Sequence, residues 1–356
     1  MSEVEVFVTR EGGIGRLTLN RPEALGALTT GMCEAMIAAL TAWRDDPDVR
    51  AVLIDHAGGR GFCAGGDIRA LTESMAGDGV AARRFFFVEY QLDHLIFDYP
   101  MPVIAVMDGA VMGGGVGVSL PARYRIATER TTFAMPEAGI GLFPDVGSGR
   151  YLSRLHGKTG AWLALTGARL KAADCELLGI ATDVVESGRL DELKGRIAAD
   201  PDATETILTE LEADPGPALA AGPHRDEIDR LFGGESVEAV VAALAGNASP
   251  WATAQLEAIR TKCPASLKVA WRLLEEGALI ANFAEDLELE YRIALRMIAR
   301  PDFAEGVRAV ILDKDNAPRW RPDTLESVTD ADLDAIFAPL PAGQEWSPLQ
   351  TSEPAP

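Results

Sequence analysis

Short apolar runs alternate with helical segments in the first part of the chain, and glycine-bearing turns join them. Residues 4–8 and 17–19 alternate apolar with polar side chains on either side of Gly12, which predicts a β-hairpin. Apolar residues recur at spacings of three and four from Met32 to Trp43, which predicts a helix, and the run Ala51–Ile54 predicts a strand. This order of elements favours an α/β fold.

The same order recurs further along the chain. A helical pattern around Phe85–Phe97 ends at a proline-rich turn, the apolar run Val103–Met107 follows, and a glycine-rich turn and a helix lead to a strand at Tyr124–Ala127. After about residue 200 the strand patterns fade. Helical periodicity continues in four segments there, at 236–245, 251–260, 266–276 and 284–298.

The length of 356 residues exceeds what one compact core usually organises. We therefore expect an α/β core over residues 1–200 and a helical region over residues 201–338. The proline-rich segment 339–356 has little apolar content, so we predict that it lacks fixed structure, although Trp346 offers one side chain that can dock.

The charge balance excludes several classes of partner. The chain carries 54 acidic and 33 basic residues, for a net charge of -21, and such a field repels nucleic acids and anionic membranes. It contains no run of about 18 apolar residues that could cross a bilayer. The first ten residues do not resemble a secretory or transit peptide, so a cytoplasmic location, or an already processed chain, is predicted.

The cysteines and histidines do not suggest a metal or disulfide site. The four cysteines form no CxxC pair, and the four histidines form no HExxH motif or other paired spacing. Reduced thiols and ordinary histidines are the expected interpretation, and no metal site is predicted.

Three glycine-bearing loops lie where an apolar strand gives way to a helix, at 62–67, 112–115 and 145–147. Glycine lets the backbone approach a ligand, and N–H groups at the start of a helix can bind an anion. Tight turns and close packing explain the same glycines equally well. These spacings alone therefore do not establish a binding site.

Glu137 and Asp145 lie eight residues apart in a mostly apolar segment. Burial would raise the pKa of such carboxyl groups towards the range in which a general base works at neutral pH. Both acids could equally be turn formers, because each follows a proline and precedes a glycine by two residues. The pattern alone leaves the two interpretations open.

Three longer stretches carry a family resemblance: FCAGGDIRAL, YPMPVIAVMDGAVMGGGVGVS and FAMPEAGIGLFPDVGSGRYLSRL. They resemble the crotonase (enoyl-CoA hydratase/isomerase) superfamily, and within it the branch of thioester hydrolases. The resemblance continues through the helical region to about residue 337. It implies a spiral of ββα units with a helical C-terminal region, and an acyl-CoA substrate.

The resemblance also implies roles for individual residues. The backbone N–H groups of Gly66 and Gly114 are expected to form the oxyanion hole, Glu137 to be the principal catalytic carboxylate, and Asp145 to lie near the acyl group and the attacking water. Glu89 is expected as a third acid that contacts the substrate, although a glutamate on an amphipathic helix is often only a solvated surface residue.

The expected CoA contacts are less specific. The backbone of Cys63 and Ala64 is expected near the adenine, as the resemblance implies. Arg69 is the predicted phosphate ligand, since guanidinium geometry suits phosphate, and Arg21 is a weaker candidate. An ordinary surface position explains Arg69 equally well.

One departure from the family pattern bears on the reaction. Enoyl-CoA hydratases carry a second glutamate three residues beyond the middle glycine of the 113–115 loop, and Gly117 occupies that place here. Hydrolysis of a thioester is therefore favoured over hydration, because it needs one carboxylate and the oxyanion hole. The resemblance implies 3-hydroxyisobutyryl-CoA as the substrate, in valine breakdown. An enoyl-CoA hydratase or isomerase and a non-catalytic acyl-CoA-binding scaffold are the alternatives. No cofactor is expected, since CoA is part of the substrate, and a homo-oligomer is left open.

Overall fold

In the computed structural model, which describes residues 4–350, the strands form two sheets. The larger sheet has the order β1-β2-β3-β5-β7-β9, and the smaller has the order β4-β6-β8. The strands are β1 Val6–Glu11, β2 Ile14–Leu19, β3 Ala51–His56, β4 Gly61–Cys63, β5 Val103–Met107, β6 Ala110–Met112, β7 Tyr124–Ala127, β8 Thr132–Ala134 and β9 Asp183–Val184.

Successive turns of the chain build both sheets at once. β3, β5 and β7 enter the larger sheet, and the strand that follows each of them enters the smaller one. Among the nine strands named above, the pairings are parallel, with Val52 opposite Val103 in one sheet and Ala110 opposite Thr132 in the other. The exception is the predicted hairpin β1–β2, which is antiparallel. This arrangement is the spiral of ββα units that the resemblance implied.

Helices connect the strands and make up most of the second half. Those before residue 200 are α1 Thr30–Trp43, α2 Ile68–Met75, α3 Val80–Phe97, α4 Gly114–Gly117, α5 Ser148–Ser153, α6 Thr159–Thr166, α7 Ala172–Leu177 and α8 Leu190–Ala199. Those after residue 200 are α9 Thr204–Leu211, α10 Arg225–Leu231, α11 Val237–Ala245, α12 Pro250–Arg260, α13 Pro264–Gly277, α14 Phe283–Met297, α15 Pro301–Val307 and α16 Asp330–Phe337. The four segments predicted after residue 200 correspond to α11 to α14.

The predicted boundary at residue 200 does not separate two packing units. It falls between α8 and α9, and both helices bury apolar side chains in the same cluster on the larger sheet. Leu193 of α8 and Leu208 of α9 share this cluster with Ile104 of β5. Helices that follow the last strand therefore still complete the core of the first region.

The later helices pack on the spiral near the glycine loops. α13 packs against α5, and α14 packs against α3. Tyr90 of α3 and Tyr291 of α14 meet edge to face, with ring centroids 6.3 Å apart. The helical region therefore covers α3 and the helix that follows the third glycine loop.

Segment 339–356 was predicted to lack fixed structure, but residues 339–350 pack against the helices. Trp346 is buried, and its indole N–H donates a hydrogen bond of 3.0 Å to the carbonyl oxygen of Phe87 in α3. Glu345 pairs with Arg292 of α14 at 2.9 Å. One large aromatic ring and one ion pair thus hold a proline-rich segment of low apolar content against α3 and α14. Residues 351–356 lie outside the described part of the chain.

Among the described residues, no helix is both long enough and apolar enough to span a membrane.

Candidate active site

A cavity of about 420 Å³ opens between the glycine loops and the helical region. Ala64 and Gly66 line it after β4, and Gly114 lines it at the start of α4. Glu137 and Asp145 line the same space. Loops that are 80 residues apart in sequence meet here because each follows a strand of the smaller sheet, and those strands lie side by side.

Helix α3 packs directly against the backbone of two of these loops. A Cβ atom on Gly66 would lie 2.6 Å from the ring of Phe85, and one on Gly114 would lie 2.3 Å from Oε1 of Glu89. A side chain at either position would have to displace the ring of Phe85 or the carboxyl group of Glu89. The two glycines therefore let these side chains pack directly on the loops, and both glycines line the cavity.

The helix after Gly114 is short. α4 comprises only residues 114–117, so a helix dipole adds little at this position, in contrast to what its place in the sequence suggested. Polarisation of a bound carbonyl oxygen by this loop would have to come from local N–H groups.

The three predicted acids are all buried. Glu137 begins a short 3-10 turn, Glu137–Ile140, and its Oε2 has no hydrogen-bond partner among the described residues. Burial, and then the charge of Asp145, raise the pKa of Glu137 well above its usual value. Burial and the neighbouring acids also raise the pKa of Glu89, which disproves a solvated surface position for this residue.

Asp145 has a partner that the sequence did not reveal. The hydroxyl of Tyr90 in α3 donates a hydrogen bond of 2.7 Å to Oδ2 of Asp145. Burial raises the pKa of Asp145 to about 6, and the hydrogen bond from Tyr90 opposes that rise. With a pKa of about 6, Asp145 loses its proton in the weakly acidic range.

The helical region fixes the loop that follows Asp145. The backbone N–H groups of Gly147 and Gly149 donate to the two carboxylate oxygens of Glu290, at 2.7 and 2.9 Å. The N–H of Arg150 donates to Asp286, one turn earlier on α14. These two acids escaped the sequence analysis because helical periodicity places them on a face without saying what that face contacts.

Lys262, between α12 and α13, supplies a basic group to the cavity wall. The next residue, Cys263, donates its N–H to the carbonyl oxygen of Ala138 at 2.9 Å and so holds this junction beside Glu137. Burial lowers the pKa of Lys262, and the charge of Glu137 opposes that shift. No sequence motif pointed to this lysine.

The residues that follow α15 close another side of the cavity. Val310, Ile311, Asn316 and Pro318 line it. Arg308 holds this segment through ion pairs with Glu305, Asp313 and Asp315. The helical region thus provides part of the wall as well as the lysine.

The predicted CoA contacts are only partly brought to the cavity. Ala64 lines it, but Cys63 is fully buried and does not, and Arg69 is exposed on α2 outside the lining. Arg21 is occupied by ion pairs with Glu5 and Asp67. Among the described residues, no group of three or more potential metal ligands lies together.

Gly117 is packed against an acid of α3. A Cβ atom at this position would lie 2.6 Å from Oδ2 of Asp93. The space into which a side chain at position 117 would project is therefore filled by the carboxyl group of Asp93. Asp93 itself is buried and does not line the cavity.

The chain is similar to proteins with known names. The family model described as enoyl-CoA hydratase/isomerase matches residues 14–337. A protein of Gallus gallus named "3-hydroxyisobutyryl-CoA hydrolase, mitochondrial" is 43% identical over 347 residues, which cover 95% of this chain and 90% of that protein. The Homo sapiens protein of the same name is 40% identical over 344 residues, which cover 94% and 89%.

Two solved structures share the whole architecture. A structure described as a carnitinyl-CoA dehydratase from Mycobacterium thermoresistibile has a TM-score of 0.90 at 42% identity, and the match covers 95% of this chain and 97% of that one. One described as an enoyl-CoA hydratase from Rhodobacter sphaeroides has a TM-score of 0.89 at 38% identity, covering 97% and 100%. Both matches include the helical region as well as the spiral.

The contact at Gly117 predicts a cost for any side chain there. Gly117→Ala should lower the free energy of unfolding by about 1–3 kcal/mol, the usual range for overpacking, as measured by urea denaturation. Gly195→Ala in α8 is the matched control, since nothing lies within 4 Å of its Cβ position. Adding Asp93→Ala to Gly117→Ala should recover stability, and equal stability of Gly117→Ala and the unaltered protein would disprove the contact.

The hydrogen bond from Tyr90 predicts a change in the titration of Asp145. Without the phenolic donor, the ionised form of Asp145 loses a partner, so Tyr90→Phe should raise its titration midpoint. Carbon-13 NMR of protein labelled at the aspartate carboxyl carbons measures that midpoint directly. Tyr291→Phe, which alters a neighbouring ring but not this hydrogen bond, should leave it in place, and an unmoved midpoint in Tyr90→Phe would contradict the prediction.

Proposed function

The chain belongs to the enoyl-CoA hydratase/isomerase family, and we propose that it hydrolyses 3-hydroxyisobutyryl-CoA to 3-hydroxyisobutyrate and free CoA. The observation that carries the proposal is that Glu137 lines the cavity while position 117, a glycine, supplies no second carboxylate to it. Such a reaction would belong to valine breakdown. The relatives with this name match along most of both chains.

The arrangement suits a reaction with one main carboxylate. Glu137 either removes a proton from water or attacks the thioester carbon itself, and both routes need its ionised oxygen beside that carbon. The N–H groups of Gly66 and Gly114 stabilise the negative charge that develops on the thioester oxygen. On the first route, collapse of the tetrahedral intermediate breaks the C–S bond, and the proton that Glu137 took from water passes to the CoA thiolate. On the second route, collapse breaks the C–S bond and leaves an anhydride between Glu137 and the acyl group. Water then hydrolyses this anhydride, which restores the Glu137 carboxylate, releases the acid and supplies the proton that the CoA thiolate takes up.

Asp145 and Glu89 orient the acyl end of the substrate in this proposal. Both line the cavity beside Glu137, and both are acids that gain protons readily because they are buried. A 3-hydroxyl group can donate to an ionised acid or accept from a protonated one. The reaction needs no metal or redox cofactor, since proton transfer and charge stabilisation come from carboxylates and backbone.

Hydration of an enoyl-CoA is the second candidate, because the two solved structures are described as a dehydratase and a hydratase. It is less well supported because enoyl-CoA hydratases use a second glutamate for hydration, at the place that corresponds to position 117. Here that place is glycine, and Asp93 fills the space without reaching the cavity.

We propose Lys262 as the main ligand of the CoA phosphates, in preference to Arg69. It lines the cavity, and Arg169 is close enough for its charge to be felt at Lys262. Because the chain has a net charge of -21, a local basic patch is needed to hold the polyanionic CoA portion of the substrate.

The predicted cytoplasmic location and the oligomeric state remain predictions. The vertebrate relatives carry "mitochondrial" in their names.

Glu137→Gln tests the reaction. Release of free thiol from 3-hydroxyisobutyryl-CoA should fall at least roughly a hundredfold, the usual contribution of a positioned acid or base, while affinity for the substrate is kept. Loss of enoyl absorbance with crotonyl-CoA, measured beside it, should be weak in both proteins. Hydration without thiol release would favour the second candidate, and thiol release that is absent in both proteins would favour a non-catalytic scaffold.

Lys262→Gln tests the phosphate contact. Losing one charge-assisted hydrogen bond should raise KM for the CoA thioester roughly tenfold or more, with a smaller effect on kcat. Arg69→Gln is the matched comparison and should change KM little. If Arg69→Gln raises KM and Lys262→Gln does not, the phosphates bind at α2 as the sequence first suggested.

A further inference from the structure

Asp93 is a fully buried acid whose two carboxylate oxygens have no hydrogen-bond partner among the described residues. It lies four residues after Glu89 on α3, and side chains at that spacing face the same side of a helix. Oε1 of Glu89 is also buried and has no partner in the described chain. Two buried acids therefore lie one turn apart on α3, with Glu89 in the cavity wall and Asp93 behind it.

Among the described residues, no basic group shifts the pKa of either acid, and neither acid forms an ion pair. The titratable groups that face the pair are Cys33 of α1, Cys63 of β4, Tyr90 of α3, Asp145 of the third glycine loop and Tyr151 of α5. Two neighbouring buried carboxylates without a counter-charge cannot both remain ionised, since protonation of one is far cheaper than burial of both charges.

Their positions distinguish the two acids. Glu89 lines the cavity, whereas Asp93 lies deeper, against Gly117. Burial and the charge of Asp145 raise the pKa of both acids. Asp93 is the deeper of the two, and neither of its oxygens has a partner within residues 4–350, so its position favours a proton there. A protonated aspartic acid has one donor and one acceptor, as an asparagine amide does, and the same shape.

We propose that Asp93 is a positioning residue that carries a proton at neutral pH, so that Glu89, the acid of the pair that lines the cavity, is the one that ionises. Asp93 occupies the volume that glycine leaves at position 117 and acts on the substrate only through Glu89. The part that concerns turnover rests on the proposed thioester hydrolysis, whereas the protonation of Asp93 does not.

Infrared difference spectroscopy tests the proton without any substrate. At neutral pH the difference between the spectra of the unaltered protein and Asp93→Asn should contain a band from the carbonyl stretch of a protonated carboxylic acid in an apolar setting, because the substitution removes that acid. Asp98→Asn, which changes an exposed acid at the end of the same helix, should leave it. A band that survives in Asp93→Asn, or that disappears only in Glu89→Gln, would overturn the assignment.

Turnover tests the positioning role. Asp93→Ala leaves empty space behind Glu89 and should lower kcat/KM for thiol release roughly tenfold, because a misplaced group in the site slows the reaction. Asp93→Asn should restore most of this loss, because the amide is neutral and has the same shape as the protonated acid. If Asp93 is charged instead, Asp93→Asn should be as impaired as Asp93→Ala. Circular dichroism and urea denaturation of both variants separate a displaced Glu89 from a lost fold.

The two proposals fail in different ways. If the unaltered protein releases no thiol from 3-hydroxyisobutyryl-CoA, the proposed function fails, but the infrared band still decides whether Asp93 holds a proton. If thiol release is normal and the band does not depend on Asp93, the proposed function stands and the role of Asp93 is overturned.

Discussion

The close packing of α3 on glycine backbone is the constraint on which the site depends. Phe85, Glu89 and Asp93 each occupy space that a Cβ atom would need, at Gly66, Gly114 and Gly117 respectively. Since interiors pack at crystal-like density, the helix can come this close only where the loops carry no side chains. The same contacts bring Glu89 to the cavity and leave the loop backbone accessible to a ligand.

Because α3 packs so closely on the loops, several acids are buried near one another in a chain that is already acidic, and keeping them all ionised is costly. Glu89, Asp93, Glu137 and Asp145 are all buried, and burial raises the pKa of each. Tyr90 and Lys262 offset the problem in part, the first by a hydrogen bond to Asp145 and the second by its charge near Glu137. Protonation is the remaining way to lower the cost, so the charge state of the cavity is set by the whole group rather than by one residue.

The helical region completes the site. Glu290 binds the backbone after Asp145 from a helix more than 140 residues later in the chain, and Lys262 and Ile311 line the cavity. The spiral alone would leave the third glycine loop without this anchor. Both solved structures match the helical region as well as the spiral, which agrees with a site that both regions build.

The sequence by itself determined the order of strands and helices, because periodicity and glycine-bearing turns are local properties. The bounds of Val103–Met107 and Tyr124–Ala127 were predicted as the structure has them. Motif resemblance also brought Glu137, Asp145, Glu89, Gly66 and Gly114 to attention, and all five line one cavity. The docking of Trp346 escaped because a proline-rich tail of low apolar content gives no periodicity.

Only the tertiary structure decided which partners these residues have. Tyr90 reaches Asp145 across 55 residues, Lys262 comes from the junction of two helices, and Asp93 fills the space at Gly117. Arg69 was a reasonable phosphate ligand by type, yet its helix turns it outside the cavity. Periodicity places a side chain on a face of a helix, but which groups lie opposite that face depends on how distant segments pack, and those neighbours set its charge and its role.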